Sequence, residues 1–424
     1  SLGSLRIRQD FMIAQALMNR PYAERDDNHE PMLKLALARI RQLSAHEIGH
    51  TLGFTHNFAA STRDRASVMD YPHPLLYVDQ DEVKLDSAYT EGIGPWDKVT
   101  VAYAYTCFPE KEEEAEGLKQ ILKEAEAQRL PFIADTDARA PGGAHPEAHL
   151  WDNGTSALEE LQKVLEIRKV AMDNCGPGNI REDETFSKLE DLFVPLYFFH
   201  RYQVEAACKC IGGINYTYAV KGDKSPELHP LDAQVQKDAM EAVMHTLSPE
   251  VLLIPEHLLD LFPPRAYGFG RSRESFQGQT GISFDYLAPP AAAANLTLGF
   301  LLHPERANRL ILQKAQDKQQ PGLDEVIENL IDKTIHNLPS TLGYKEEVMY
   351  TVGFLAIDHL IRLANEEGAS PQAKARAGFH LAELKTWLED EENEGLDPIY
   401  RKAFIDQISK NKVKHLDHLP ALPP

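Results

Sequence analysis

Eleven residues, HEIGHTLGFTH from His46 to His56, constrain this chain more tightly than any other stretch. In an α-helix, positions four apart share a face, so His46 and His50 point the same way. Glu47 stands beside His46. Gly53 lies one turn beyond His50, and glycine tolerates the left-handed backbone that ends helices. The chain can then turn sharply and bring His56 back towards the first two imidazoles. The segment therefore encodes a helix, a stop, a return and a third ring.

Those residue types suit zinc. Neutral imidazole is a good ligand, and two of them at this spacing make half of a tetrahedral site. With His56 as third ligand, one position stays free for water, as catalytic zinc requires. A structural site usually closes that position with Cys or His, and no Cys lies nearby. Glu47 can reach such a water without ligating the metal and take its proton as it attacks a carbonyl. HExxH alone is a weak signal. The full pattern fixes five positions and would arise by accident on the order of once in 10⁴ chains of this size. The expected cofactor is Zn2+.

Downstream, SVMDY places Met69 and Tyr71 after a polar loop. His46–His56 followed by SVMDY resembles a metzincin metallopeptidase, whose signature is the extended histidine motif followed by a methionine turn. The resemblance implies that Met69 forms a hydrophobic floor beneath the histidines. It also implies that Tyr71 stabilises the oxyanion of a tetrahedral intermediate. Asn57, directly after the third histidine, departs from the residues of the well-known metzincin families and points to a separate branch. SLGSLRIRQD, GIGPWDK, AHPEAHLWDNG and YFFHRYQ are similar to segments of a family of large secreted bacterial zinc metallopeptidases. That likeness implies a peptide or protein substrate and a secreted or periplasmic location, with any export signal upstream. Metzincins set a sheet-bearing upper subdomain before the zinc helix. Here 45 residues precede His46, and the alternating SLRIRQ reads as a strand, the last piece of that sheet. The chain is expected to lack most of the upper subdomain, and so to hold the zinc chemistry while binding substrate poorly.

Beyond the motif, helical periodicity dominates. The fold class read from it is mainly α (α+β overall): the lower subdomain of a metzincin-like catalytic domain plus a large helical domain. The expected divisions are a zinc-binding region at 1–105, an acidic helix and loop at 106–154, and a helical domain at 155–424. FSKLEDLFVPLYFFHRYQVEAACKCI reads as one long aromatic-rich helix. The loop between holds Asp135, Asp137, His145, His149 and Asp152, which either border the cleft, bind a second cation or form a polar surface.

The formal net charge of −21 argues against nucleic acid or anionic lipid as partner, since both need Lys and Arg against phosphates. No apolar run reaches the length of a bilayer span. Cys107, Cys175, Cys208 and Cys210 form no CxxC pair, leaving distant disulfides and free thiols as alternatives. Oligomeric state is not legible. A zinc peptidase is the leading reading. Its rivals are a non-catalytic binding or scaffold protein with a structural or vestigial zinc site, and a zinc hydrolase of non-peptide amides. A mere brace has no use for Glu47.

Overall fold

The computed structural model describes residues 4–85, 88–222, 228–390 and 395–413. Helices make up 57% of it and strands 4%, so the chain is mainly α. In chain order the helices begin with α1 (Ser4–Leu17), α2 (Glu30–Thr51), α3 (Pro95–Tyr105), α4 (Lys111–Ala127), α5 (Asp135–Ala138) and α6 (Ala157–Asn174). They continue with α7 (Phe186–Tyr197), α8 (Arg201–Cys210), α9 (Ala233–His245), α10 (Pro249–Leu252), α11 (Glu256–Leu259) and α12 (Ala288–Leu301). The last five are α13 (Pro304–Gln316), α14 (Leu323–Ile331), α15 (Tyr344–Asn365), α16 (Pro371–Glu389) and α17 (Pro398–Lys410). The described residues also hold two antiparallel strand pairs, β1 (Tyr77–Asp79) with β2 (Glu82–Lys84) and β3 (Ile214–Tyr216) with β4 (Leu228–Pro230), and short 3-10 or π turns at Ala60–Arg63, Pro177–Asn179 and Asp332–His336.

Helix α2 follows from its residue spacing. Pro31 sits in the first turn, where its missing N–H costs nothing, and Glu30 faces the positive helix start. Met32, Leu35, Ala36, Arg39, Gln42, His46 and Gly49 are its buried residues. They recur every three or four positions and form one stripe. That stripe carries the zinc motif at its far end.

Two expectations from the sequence fail. SLRIRQ is not a strand: α1 runs unbroken from Ser4 and packs against α2 and α7. A six-residue alternation does not separate strand from helix. Ala14, Ala16 and Leu17 are fully enclosed, and that tertiary packing decides the matter. The aromatic stretch is two helices, α7 and α8, rather than one. Pro195 lies inside α7, where it has no N–H for the helical ladder. Three residues later the bonding tightens, with Phe199 N donating to Leu196 O and Arg201 N to Phe198 O.

One large core cluster runs from Met12 of α1 through Leu35 of α2 to Phe404 of α17. A second, small cluster consists of Phe58, Ala59, Ile133, Ala138 and Ala148, with Tyr71 against it. Lys209 links the two regions. It is fully buried on α8, and its ammonium donates to the carbonyls of Ala138 at 2.5 Å and Ala148 at 2.9 Å. The helical bulk thus holds the loop that borders the histidines. All four cysteines are free, and three of them are buried.

Candidate metal centre

Helix α2 presents His46 and His50 edge to face, with ring centroids 4.7 Å apart. The helix ends at Thr51, and Gly53 takes φ +89°, the left-handed turn that the sequence predicts. Phe54 N closes the turn onto Gly49 O at 3.1 Å. The returning chain then brings the His56 ring to 5.1 Å from His46 and 4.8 Å from His50. One ligand nitrogen from each residue lies within 4.8 Å of the others, and no further His, Cys, Asp or Glu joins the group among the described residues.

Each ring is oriented by a partner on its outer nitrogen. His46 Nδ1 meets Val68 O at 2.7 Å, His50 Nδ1 meets Phe54 O at 2.9 Å, and His56 Nδ1 meets Asp135 Oδ2 at 2.8 Å. All three partners are acceptors, so each neutral ring places its single N–H on Nδ1. The lone pairs are left on Nε2. His50 Nε2 and His56 Nε2 face each other at 3.2 Å. Two lone pairs at that separation repel unless a positive charge lies among them, so the donor set fits a divalent metal. Burial, opposed by the hydrogen bond to Val68, lowers the His46 pKa to about 4. That ring is therefore neutral, with Nε2 free to act as a ligand.

Met69 forms the floor. It is 1% exposed, and its sulfur lies 2.2 Å from where a Cβ on Gly49 would stand. Only glycine between the two helix histidines admits this approach. The turn is pinned from the side by Asp97, whose carboxylate accepts from Ser67 Oγ at 2.6 Å, Val68 N at 2.9 Å and Gly94 N at 2.6 Å. Asn57, the departure noted above, is fully buried. Its amide donates to Pro131 O and accepts from Ile133 N, and its backbone N–H donates to Met69 O. It thus ties the third histidine to both the turn and the bordering loop.

Tyr71 lies against the rings of His46, His56, Phe58 and Trp151, with centroids between 4.9 and 5.4 Å. The Arg139 guanidinium sits 5.1 Å from the Tyr71 ring centroid and donates to Asp135 at 2.5 Å. Against the cost of burial, hydrogen bonds from Arg139 and His56 hold the Asp135 carboxyl below its ordinary range. Glu47 lies on the exposed side of α2, next to buried His46.

A family model described as Met-zincin matches residues 28–341, most of the chain. The chain belongs to the Met-zincin family. No curated protein and no solved structure matches it. Met-zincin membership implies zinc as the cofactor, and the three-histidine group suits that metal. This Met-zincin is therefore, in general terms, a zinc metallopeptidase. No described helix is long and apolar enough to cross a membrane.

Of the bordering loop residues, the structure of the Met-zincin brings Asp135 to His56. Asp137 faces the hydroxyls of Tyr216 and Tyr218 instead, each at 2.5 Å. Asp152 is enclosed beside Asp70, and their mutual repulsion adds to burial in holding the Asp152 carboxyl well above its usual range. Sequence reasoning missed Asp97 and Arg139. Asp97 carried a weak signal, the helix-starting GPWD pattern; Arg139 carried none.

Proposed function

We propose that this Met-zincin hydrolyses peptide bonds with His46, His50 and His56 as zinc ligands, Glu47 as general base and Tyr71 as oxyanion donor. Bound there, zinc supplies Lewis acidity towards water and the scissile carbonyl. The Glu47 carboxylate accepts a proton as water oxygen bonds to the carbonyl carbon. The Tyr71 hydroxyl donates to the oxyanion, with the Arg139 charge close by. When the C–N bond breaks, Glu47 returns the proton to the leaving nitrogen. Met69 and Gly49 keep water from beneath the rings, and Asp135 fixes the tautomer of His56.

The observation that carries this reading is the inward convergence of three imidazoles, with no fourth His, Cys, Asp or Glu among the described residues to close the set. A structural brace would fill that position. The test is Glu47→Gln with metal analysis and a peptide-library digest. The expected variant keeps one zinc per chain and loses activity by about 10²–10⁴-fold. Full activity with zinc retained would remove Glu47 from the mechanism. Wild-type protein that holds zinc and cleaves no peptide would favour the binding-protein reading.

A further inference from the structure

A groove with a volume of about 1270 Å³ runs along α6, away from the histidine site. It exceeds the roughly 300–1,000 Å³ of ordinary small-molecule sites. Its lining on α6 extends from Leu158 to Asp173, roughly 22 Å at the helical rise. Leu158, Leu165 and Met172 form an apolar stripe on that wall, each seven positions from the next. Ala242 of α9, with Leu253 and Leu259 from the segments after it, lines the opposite side.

The rim is predominantly acidic. Glu159, Glu166, Asp238, Glu250 and Glu256 are exposed around the apolar floor. Among the described residues, no Lys or Arg forms an ion pair with any of the five. The lysine and the arginine in the lining are already used. Lys169 pairs with Asp173 at 2.5 Å. Buried Arg168 donates to Tyr197 O at 2.7 Å and Val251 O at 3.0 Å.

We propose that this groove docks a basic amphipathic segment of a protein partner, its apolar face on the floor and its Lys and Arg side chains against the rim carboxylates. The length suits an amphipathic helix, which anchors through side chains at i, i+3, i+4 and i+7. The charge repels nucleic acid and acidic peptides. The inference stands apart from the peptidase reading, since nothing in it passes through the histidines.

The test uses a fluorescein-labelled 18-residue peptide of leucine and lysine with leucines at helical spacing, followed by anisotropy on the full chain. A matched peptide with glutamate in place of lysine is the control. The lysine peptide is expected to bind at least tenfold more tightly and to weaken as salt rises. The E159K/E166K/E250K variant, shown folded by circular dichroism, is expected to lose tenfold or more. Ala242→Trp, which fills the floor without changing charge, is expected to weaken binding as well. The same reversal placed on α4, at Glu113, Glu114 and Glu126, is expected to leave affinity unchanged. Equal binding of the two peptides, no binding of the lysine peptide, or an equal loss from the α4 reversal would each overturn the proposal.

Discussion

Asp135 Oδ2 lies 2.8 Å from His56 Nδ1 and joins the third imidazole to a four-residue helix 79 positions further along the chain. The contact sets the tautomer and raises the basicity of the inward nitrogen. Loss of such an outer partner typically costs 10–100-fold in metal affinity. Asp135→Ala is expected to weaken zinc binding by that factor in a chelator competition. Asp135→Asn should cost less, because an amide oxygen still accepts from Nδ1. Equal affinity in wild type and Asp135→Ala would show that the carboxylate plays no part in holding the ring.

Gly49 and Met69 offer a second test. An alanine at 49 gains about 1 kcal/mol of helix propensity over glycine. Its Cβ would stand 2.2 Å from the Met69 sulfur, and overpacking typically costs about 1–3 kcal/mol. The clash is expected to win, because Met69 is enclosed under the histidines and has little room to move. Gly49→Ala should lower stability and zinc affinity together. In the Gly49→Ala background, Met69→Ala should cost at least about 1 kcal/mol less than in wild type, since the two sites touch. Additive losses in urea unfolding would mean that the two side chains do not compete for the space.

What the sequence revealed about the site was local. His46, His50, Gly53 and His56 lie within one helix and its exit, so spacing alone predicts their convergence. Met69 and Tyr71 follow within one short loop. Asp135 was visible only as one of several residues that could border the cleft, and Arg139 was hidden, because their place depends on how the loop after α4 folds back, held by Asn57 and Lys209. No periodicity encodes such a contact. The misread strand has the opposite cause. SLRIRQ is short enough to suit either geometry, and the helix it opens is held further along by distant neighbours, as when Asn179 Nδ2 donates to Gln15 O at 2.9 Å. The mainly helical class was legible because amphipathic stripes of ten or more residues recur from α6 to α17. The break between α7 and α8 needed the weight given to Pro195, which a run of aromatic residues obscured.

Glu190 offers a stability test away from the metal. It is fully enclosed on α7 and accepts from Arg265 Nε and Arg271 Nε, each at 3.0 Å. Removing one partner of a buried pair typically costs about 3–5 kcal/mol. Arg265 keeps a second carboxylate in Asp191 at 2.8 Å, and Arg271 is partly exposed, so the lower end of that range is expected for Glu190→Ala. Arg271→Ala should cost less, because the acid keeps Arg265. Urea unfolding at neutral pH checks both, and a Glu190→Ala loss below about 1 kcal/mol would show that the cluster contributes little.

His73 sets a pH dependence. Burial, with Arg201 and Arg65 adding positive charge nearby, lowers its folded pKa to about 3. An unfolded histidine titrates near 6.5. Below that value the unfolded chain takes up a proton that the folded chain refuses, so acid favours unfolding. The contribution of a neutral His73 is therefore fully present above pH 6.5. It is lost as pH falls towards the folded value, at up to about 1.4 kcal/mol per pH unit. His73→Asn removes this term while other groups still titrate. The stability difference between wild type and variant should be largest at pH 7 and shrink steadily towards pH 4.5. Urea midpoints measured across that window give the slope, and a difference that does not change with pH would mean that His73 is protonated equally readily in both states.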